Sequence, residues 1–153
     1  MVRFAMTETT IRRATVNDAS ALAELRLAFQ LHFRPVPDEA RLRAQVRKYL
    51  RRRLPTEECV AWVGESGGGV VASGVIVIYE RMIRDGVGHE GYVQSMFTRP
   101  DHRRRGVAAA IVERMIEFAK EREIDLILNA TDEGRPIYER AGFEPASGYM
   151  RWR

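Results

Sequence analysis

The stretch from Met96 to Ala110 holds the residues best suited to chemistry. It leaves a strand at Met96, Phe97 and Thr98, turns at Pro100, and enters a basic loop of Arg103, Arg104 and Arg105. Gly106 follows, then Val107, Ala108 and Ala109 open an amphipathic helix. The first turn of a helix has unpaired N–H groups and the positive end of the dipole, so it is an anion site. Gly106 lets the backbone approach a phosphate with no Cβ in the way. Ala108 and Ala109 keep the rim low, and the guanidinium groups add charge-assisted contacts. These residues in this order suit a di- or polyphosphate seated at a helix start. A basic run before a helix is also what an ordinary solvated loop looks like.

The elements that must position this loop follow from periodicity and breakers. Ile11 to Arg13 reads as a first strand, and Asn17 or Asp18 as the N-cap of a helix carrying Leu22, Leu25, Phe29 and Phe33 at helical spacing. Pro35 and Pro37 end it. A second helix carries Leu42, Val46, Leu50 and Leu54, with seven basic residues between Arg41 and Arg53 on its other face. Glu58 to Val63 and Val70 to Tyr79 are rich in β-branched and aromatic residues and flank a glycine-rich turn, the signature of a hairpin. A turn near Asp85 to Gly88 leads to a strand over Glu90 to Thr98. Val107, Ile111, Met115 and Phe118 share one helical face. Ile124 to Ala130 reads as a short strand, Asp132 or Glu133 as the cap of a helix ended by Gly142, and Ser147 to Arg153 as a last strand. The pattern is a mixed α/β domain with helices covering a largely antiparallel sheet.

Composition bounds the rest. A chain of 153 residues, 45% hydrophobic and 30% charged, is one globular domain with room for a core, not a disordered or disulfide-framework protein. No run approaches the ~18–20 apolar residues that cross a bilayer, and Met1 to Met6 is too short and mixed for a secretory leader. The lone Cys59 lies in an apolar run, which fits a buried strand residue and a reducing, cytoplasmic setting. The net charge is +4, and all but Lys48 and Lys120 of the 25 basic residues are arginine. Arginine suits oxyanions because its planar fork matches them, but charge alone does not separate nucleic acid from a phosphorylated small molecule. The three histidines lack ligand-like spacing, so no metal site is expected. The glycine-rich signatures of nucleotide hydrolysis and dinucleotide binding are absent.

With those residues in view, the sequence resembles the GCN5-related N-acetyltransferase superfamily. Arg103-Arg104-Arg105-Gly106-Val107-Ala108 matches the family's acetyl-CoA motif, Gln/Arg-x-x-Gly-x-Gly/Ala, at a strand–helix junction. Thr98 to Arg103 matches its usual lead-in. Asn129-Ala130-Thr131 and Arg135 to Phe143 look like the second motif. The resemblance spans roughly Ile11 to Arg153 and is best over Val93 to Phe143. It implies a single acyltransferase domain over 1–153, with residues 1–8 a disordered lead. It further implies a mixed, mostly antiparallel sheet of six to seven strands with about four helices.

The resemblance also implies roles. Main-chain groups of Met96 and Thr98, with Phe97 between them, would pair with the pantetheine arm of acetyl-CoA. The pyrophosphate would sit on the amides of Arg104, Arg105, Gly106, Val107, Ala108 and Ala109, with Arg103 beside them. Asn129, at the end of the fifth strand, would contact the coenzyme. Tyr138 would be the general acid for the leaving thiolate, and a backbone N–H near Met96 the oxyanion donor. Because Asn129 cannot serve as a base, Glu90 becomes the first choice, acting through water, with His89 and Glu80 behind it. The reaction would be direct attack of a primary amine, on a small molecule or a protein, upon the thioester of acetyl-CoA. Two further readings stay open: an acyl-CoA sensor without catalysis, and a nucleic-acid-binding module using the arginine faces, for which no recognised motif is present. By the same resemblance the chain would form a homodimer, and with no long apolar run no membrane partner is expected.

Overall fold

The computed structural model describes residues 8–146 and 148–153. The chain runs β1 (Thr10–Arg13), α1 (Ala19–Phe33), α2 (Glu39–Arg53), β2 (Cys59–Ser66), β3 (Gly69–Arg84), β4 (Val87–Thr98), α3 (Val107–Arg122), β5 (Asp125–Ile127) and α4 (Arg135–Arg140). Local chemistry sets the boundaries. Thr15 and Asp18 form a reciprocal capping box just before α1, and Arg12 grips both Asp18 oxygens at 2.8 Å. The Asp38 carboxylate caps α2 by accepting from the Arg41 amide at 2.9 Å. The β3–β4 hairpin turns at Asp85 and Gly86, both left-handed, as a two-residue hairpin turn requires.

One sheet forms in the order β1-β2-β3-β4-β5, antiparallel throughout except for the parallel β4–β5 pair. Alternating side chains feed two cores, one on each face. Val60, Trp62, Ile76 and Val93 pack under Ile111, Met115 and Phe118 of α3. Cys59, Ala61, Val63 and Val75 pack under Leu22 of α1 and Leu50 of α2. Cys59 is thus a buried strand residue, and its thiol is pushed up to about 11 by burial.

The sheet is smaller than the six to seven strands expected. Five strands form among the described residues, and none of residues 148–153 belongs to a strand; Ser147 lies outside the described residues. Tyr149, Met150 and Trp152 stand exposed instead. The physical reason is the edge on offer: β5 is three residues long, not the seven expected over Ile124 to Ala130, so it presents too short a ladder for a further strand. The expected disordered lead over 1–8 falls, apart from Glu8, outside the described residues.

Candidate active site

The shortness of β5 creates the site. β4 and β5 pair only at Glu90–Asp125, Gly91–Leu126 and Tyr92–Ile127. Beyond those pairs β4 continues to Thr98 while the chain after Ile127 leaves the sheet. A cavity of about 650 Å³ opens between the parting segments. Val93 to Thr98 form one wall and Leu128, Asn129 and Thr131 the other. Asn129 Nδ2 donates to the Tyr92 hydroxyl at 2.8 Å, spanning the gap where it begins.

A β-bulge sits in the β4 wall. Ser73 pairs with Phe97 and Val75 with Gln94, so Ser95 and Met96 together oppose Gly74. Ser95 is left-handed, with φ of 54°, and its carbonyl accepts from Ser73 Oγ at 2.9 Å. A bulge breaks the ladder and leaves a residue unpaired. Gly74 is required opposite it: a Cβ there would lie 2.5 Å from Met96 Sδ and Met115 Cε and 2.8 Å from Ile111 Cγ2.

The far end of the cavity is the start of α3. Gly106 is the left-handed N-cap, with φ of 76°, and nothing lies within 4 Å of where its Cβ would be. The first helical bond of α3 runs from the Ala110 amide to the Gly106 carbonyl at 3.0 Å. The amides of Val107, Ala108 and Ala109 therefore have no helical acceptor. Arg104 is also left-handed, and left-handed residues in such a run let successive N–H groups face one concavity. Arg103 builds the loop: its Nε donates to the Thr98 carbonyl at 2.8 Å and its guanidinium stacks 5.4 Å from the Phe97 ring centroid. A chain of open amides beneath a glycine with free space above it fits a pyrophosphate.

Tyr138, on α4, forms the opposite lip. Gly134 lets it approach, since a Cβ there would lie 3.3 Å from Tyr138 Cε2. The hydroxyl has no hydrogen-bond partner among the described residues, and burial pushes its pKa up to about 12. It is a protonated donor with its proton free to give to a ligand.

Of the residues singled out from sequence, the cavity gathers Met96, Phe97, Thr98, Arg103 and Arg104, with Gly106 to Ala109, Asn129 and Tyr138. Arg105 lies outside its lining and is exposed. Glu90 also lies outside it, five residues before Ser95, roughly 16 Å along an extended strand. The buried Glu90 carboxylate accepts a short hydrogen bond from Tyr79 and faces Arg81 Nη1 at 3.4 Å. Arg81 Nη2 reaches Asp125 at 3.3 Å, which ties β3 to β5 across β4.

The structure adds residues that sequence patterning assigned to other duties. Phe29 and Phe33 continue the apolar stripe of α1, yet they line the cavity mouth and Phe33 is 52% exposed. His32 Nε2 meets Glu133 Oε2 at 3.2 Å, joining α1 to the loop before α4 across that mouth. An apolar stripe running past its own core was the available signal.

A splayed mixed sheet with helices on both faces, its gap ending at a helix start with open amides, defines the acyl-CoA N-acyltransferase fold. The sequence model of the acetyltransferase (GNAT) domain matches residues 57–145, and the chain belongs to this family. Its general chemistry is acyl transfer from an acyl-CoA to nitrogen. Among solved structures, it is similar to a predicted acetyltransferase with acetyl-CoA from Clostridium acetobutylicum, at 25% identity and a TM-score of 0.86, covering 95% of this chain and 96% of that one. It is also similar to a GCN5-related N-acetyltransferase from Ralstonia eutropha JMP134, at 26% identity and a TM-score of 0.83, covering 95% and 99%. A Trypanosoma brucei acetyltransferase shares the fold, at 23% identity and a TM-score of 0.69, covering 95% and 99%. No curated protein matches the chain. Among the described residues no helix is long and apolar enough to cross a membrane, and no group of three or more His, Cys, Asp or Glu side chains could hold a metal ion.

Proposed function

We propose that the chain transfers an acetyl group from acetyl-CoA to a primary amine by direct attack. One observation carries the reading: a single cavity holds the open amides of α3 at one end, the bulged β4 wall along its length and the unpaired Tyr138 hydroxyl at its lip.

The pyrophosphate sits on the amides of Gly106 to Ala109, where the helix dipole and the open N–H groups favour negative charge. The pantetheine arm fills the gap that β5 leaves beside β4, pairing with main-chain groups from Met96 to Thr98. The thioester then lies at the bulge, within reach of Tyr138. The neutral acceptor nitrogen attacks the thioester carbonyl carbon and a C–N bond forms. An N–H freed from the ladder near Met96 stabilises the oxyanion. The C–S bond breaks, and the sulfur takes the proton from the Tyr138 hydroxyl. The new amide nitrogen loses its extra proton to water at the mouth, and the tyrosinate recovers one from the same water. The products are the N-acetyl amine and free coenzyme A. Glu90 takes no step here, because Tyr79 and Arg81 engage its carboxylate away from the cavity.

The test is thiol release from acetyl-CoA across a panel of amines, run beside thermal melting. A ligand that binds only the native state raises the melting temperature. A coenzyme-dependent rise together with thiol release is the expected result. A rise without turnover on any amine would favour the silent sensor. No rise and no release would overturn acetyl-CoA as the donor.

A further inference from the structure

A second cavity, of about 460 Å³, lies on the α1–α2 face of the sheet. Its walls are mostly apolar, with Leu22, Leu42, Val46, Tyr49 and Val75 among them, and no carboxylate lines it. It shares Gln94 and the bulge residue Ser95 of β4 with the coenzyme cavity. One cation faces it: Arg26 of α1.

Arg26 is half-buried and has no counter-ion among the described residues. No carboxylate of the described residues comes within 4.0 Å of it, whereas Arg12, Arg43, Arg53, Arg81 and Arg122 each have one. Among the described residues its guanidinium makes one hydrogen bond, from Nη1 to Ser95 Oγ at 3.2 Å, and it stacks 5.2 Å from the Phe29 ring centroid. Burial lowers its pKa from the ordinary value, with Tyr92 acting to raise it and the charge of Arg34 to lower it further. A guanidinium has five donors, so most of the fork remains open. Partial burial of an uncompensated charge is costly, and an anion delivered with the substrate would remove that cost.

Resting on the acetyl-transfer reading, we propose that Arg26 selects the acceptor: an amine that carries a carboxylate on an apolar skeleton, the chemistry of an aliphatic or aromatic amino acid. The carboxylate takes the open fork of Arg26 in a two-point pair. The skeleton fills the apolar cavity. The hydrogen bond to Ser95 puts Arg26 beside the bulge, so an amine one carbon from the carboxylate is held at the thioester. A single guanidinium in apolar walls matches one negative charge better than the two of a phosphate.

The test compares amines that differ only in the carboxylate, L-leucine with isoamylamine and L-phenylalanine with phenethylamine, plus O-phosphoethanolamine. Binding is measured by calorimetry with and without coenzyme A, and turnover by thiol release. Wild type is expected to favour each amino acid over its bare amine by about tenfold or more in both readouts, and R26M to abolish that ratio. R26K, which keeps the charge but loses the fork, should retain only part of it. The coenzyme-induced melting shift of each variant reports that it is folded. Equal binding of the paired ligands to wild type, a preference that survives in R26M, or a stronger response to O-phosphoethanolamine overturns the proposal. If no amine is turned over, the acetyl-transfer reading fails, while Arg26-dependent amino-acid binding still supports this one and its absence still overturns it.

Discussion

Phe143 holds Tyr138 by two contacts. The rings meet edge to face with centroids 5.7 Å apart, and the Phe143 amide donates to the Tyr138 carbonyl at 3.0 Å. α4 is one and a half turns long and has little stability of its own. The aim of the Tyr138 hydroxyl therefore depends on the residue just past Gly142, where the chain turns left-handed with φ of 99°. Tyr138→Phe should keep the fold and coenzyme affinity while kcat falls by roughly a hundredfold or more, as for loss of a positioned acid. Phe143→Ala should lower kcat by a smaller factor without removing the hydroxyl, and steady-state kinetics on both variants check this. A Tyr138→Phe enzyme with unchanged kcat would remove Tyr138 from the reaction.

Gly106 is positioned for its backbone. With φ of 76° and open space over its α-carbon, replacement by Ala costs about 1–2 kcal/mol of backbone strain and puts a methyl group over the open amides. The expected outcome is a melting temperature a few degrees lower and a KM for acetyl-CoA raised about tenfold, with kcat less affected. Paired melting and kinetic measurements separate the two effects.

Gly74 links the core to the bulge. Adding a Cβ drives it toward Met96, Met115 and Ile111. The two methionine ends can swing aside, but the branched Ile111 yields only if α3 shifts. Gly74→Ala should destabilise the fold by about 1–2 kcal/mol. Activity should also fall, because Met96 belongs to the bulge. Chemical denaturation with residual activity measured in parallel provides the check.

Alkaline pH should unfold the protein early. Cys59 is pushed from an ordinary 9.0 to about 11, and Tyr79 and Tyr138 from 10.0 to about 12. Burial is the largest cause for all three, with the Glu90 carboxylate adding to it for Tyr79. Each group is neutral when protonated, and its pKa is higher folded than unfolded. The stability this brings is whole below about pH 9 and is lost as pH rises toward 11 for Cys59 and 12 for the tyrosines. Melting temperatures from pH 8 to 11.5 should fall progressively above pH 9. Cys59→Ala should start lower, having lost packing, but decline less steeply between pH 9 and 11. Because Tyr138 keeps its proton at neutral pH, any activity loss on the acid side follows protonation of the acceptor amine, not of Tyr138.

Much of the fold was legible in the chain because local rules wrote it. The helical stripe of Leu22 and Leu25, the glycine turns of the hairpins and the Pro100 stop each specify a local conformation, and each element forms where its pattern lies. The start of α3 was legible too, because Gly106 and the small residues after it write locally a left-handed cap that leaves amides open. The expected last strand does not form: Tyr149, Met150 and Trp152 have strand-like composition, but strand formation needs a partner edge that three-residue β5 does not supply.

Periodicity, breakers and composition were enough to specify most of the elements and their order, since these depend on interactions within a few residues. Tertiary structure alone decided that β4 and β5 part after Tyr92, that Tyr138 overlooks the gap with no hydrogen-bond partner for its hydroxyl among the described residues, and that Tyr79 and Arg81 engage Glu90 elsewhere. It also set Arg26 beside Ser95, a residue 69 positions away, with no counter-ion among the described residues. Such relationships arise from which surfaces meet when the sheet assembles, and no local pattern encodes the charge or shape of a distant neighbour.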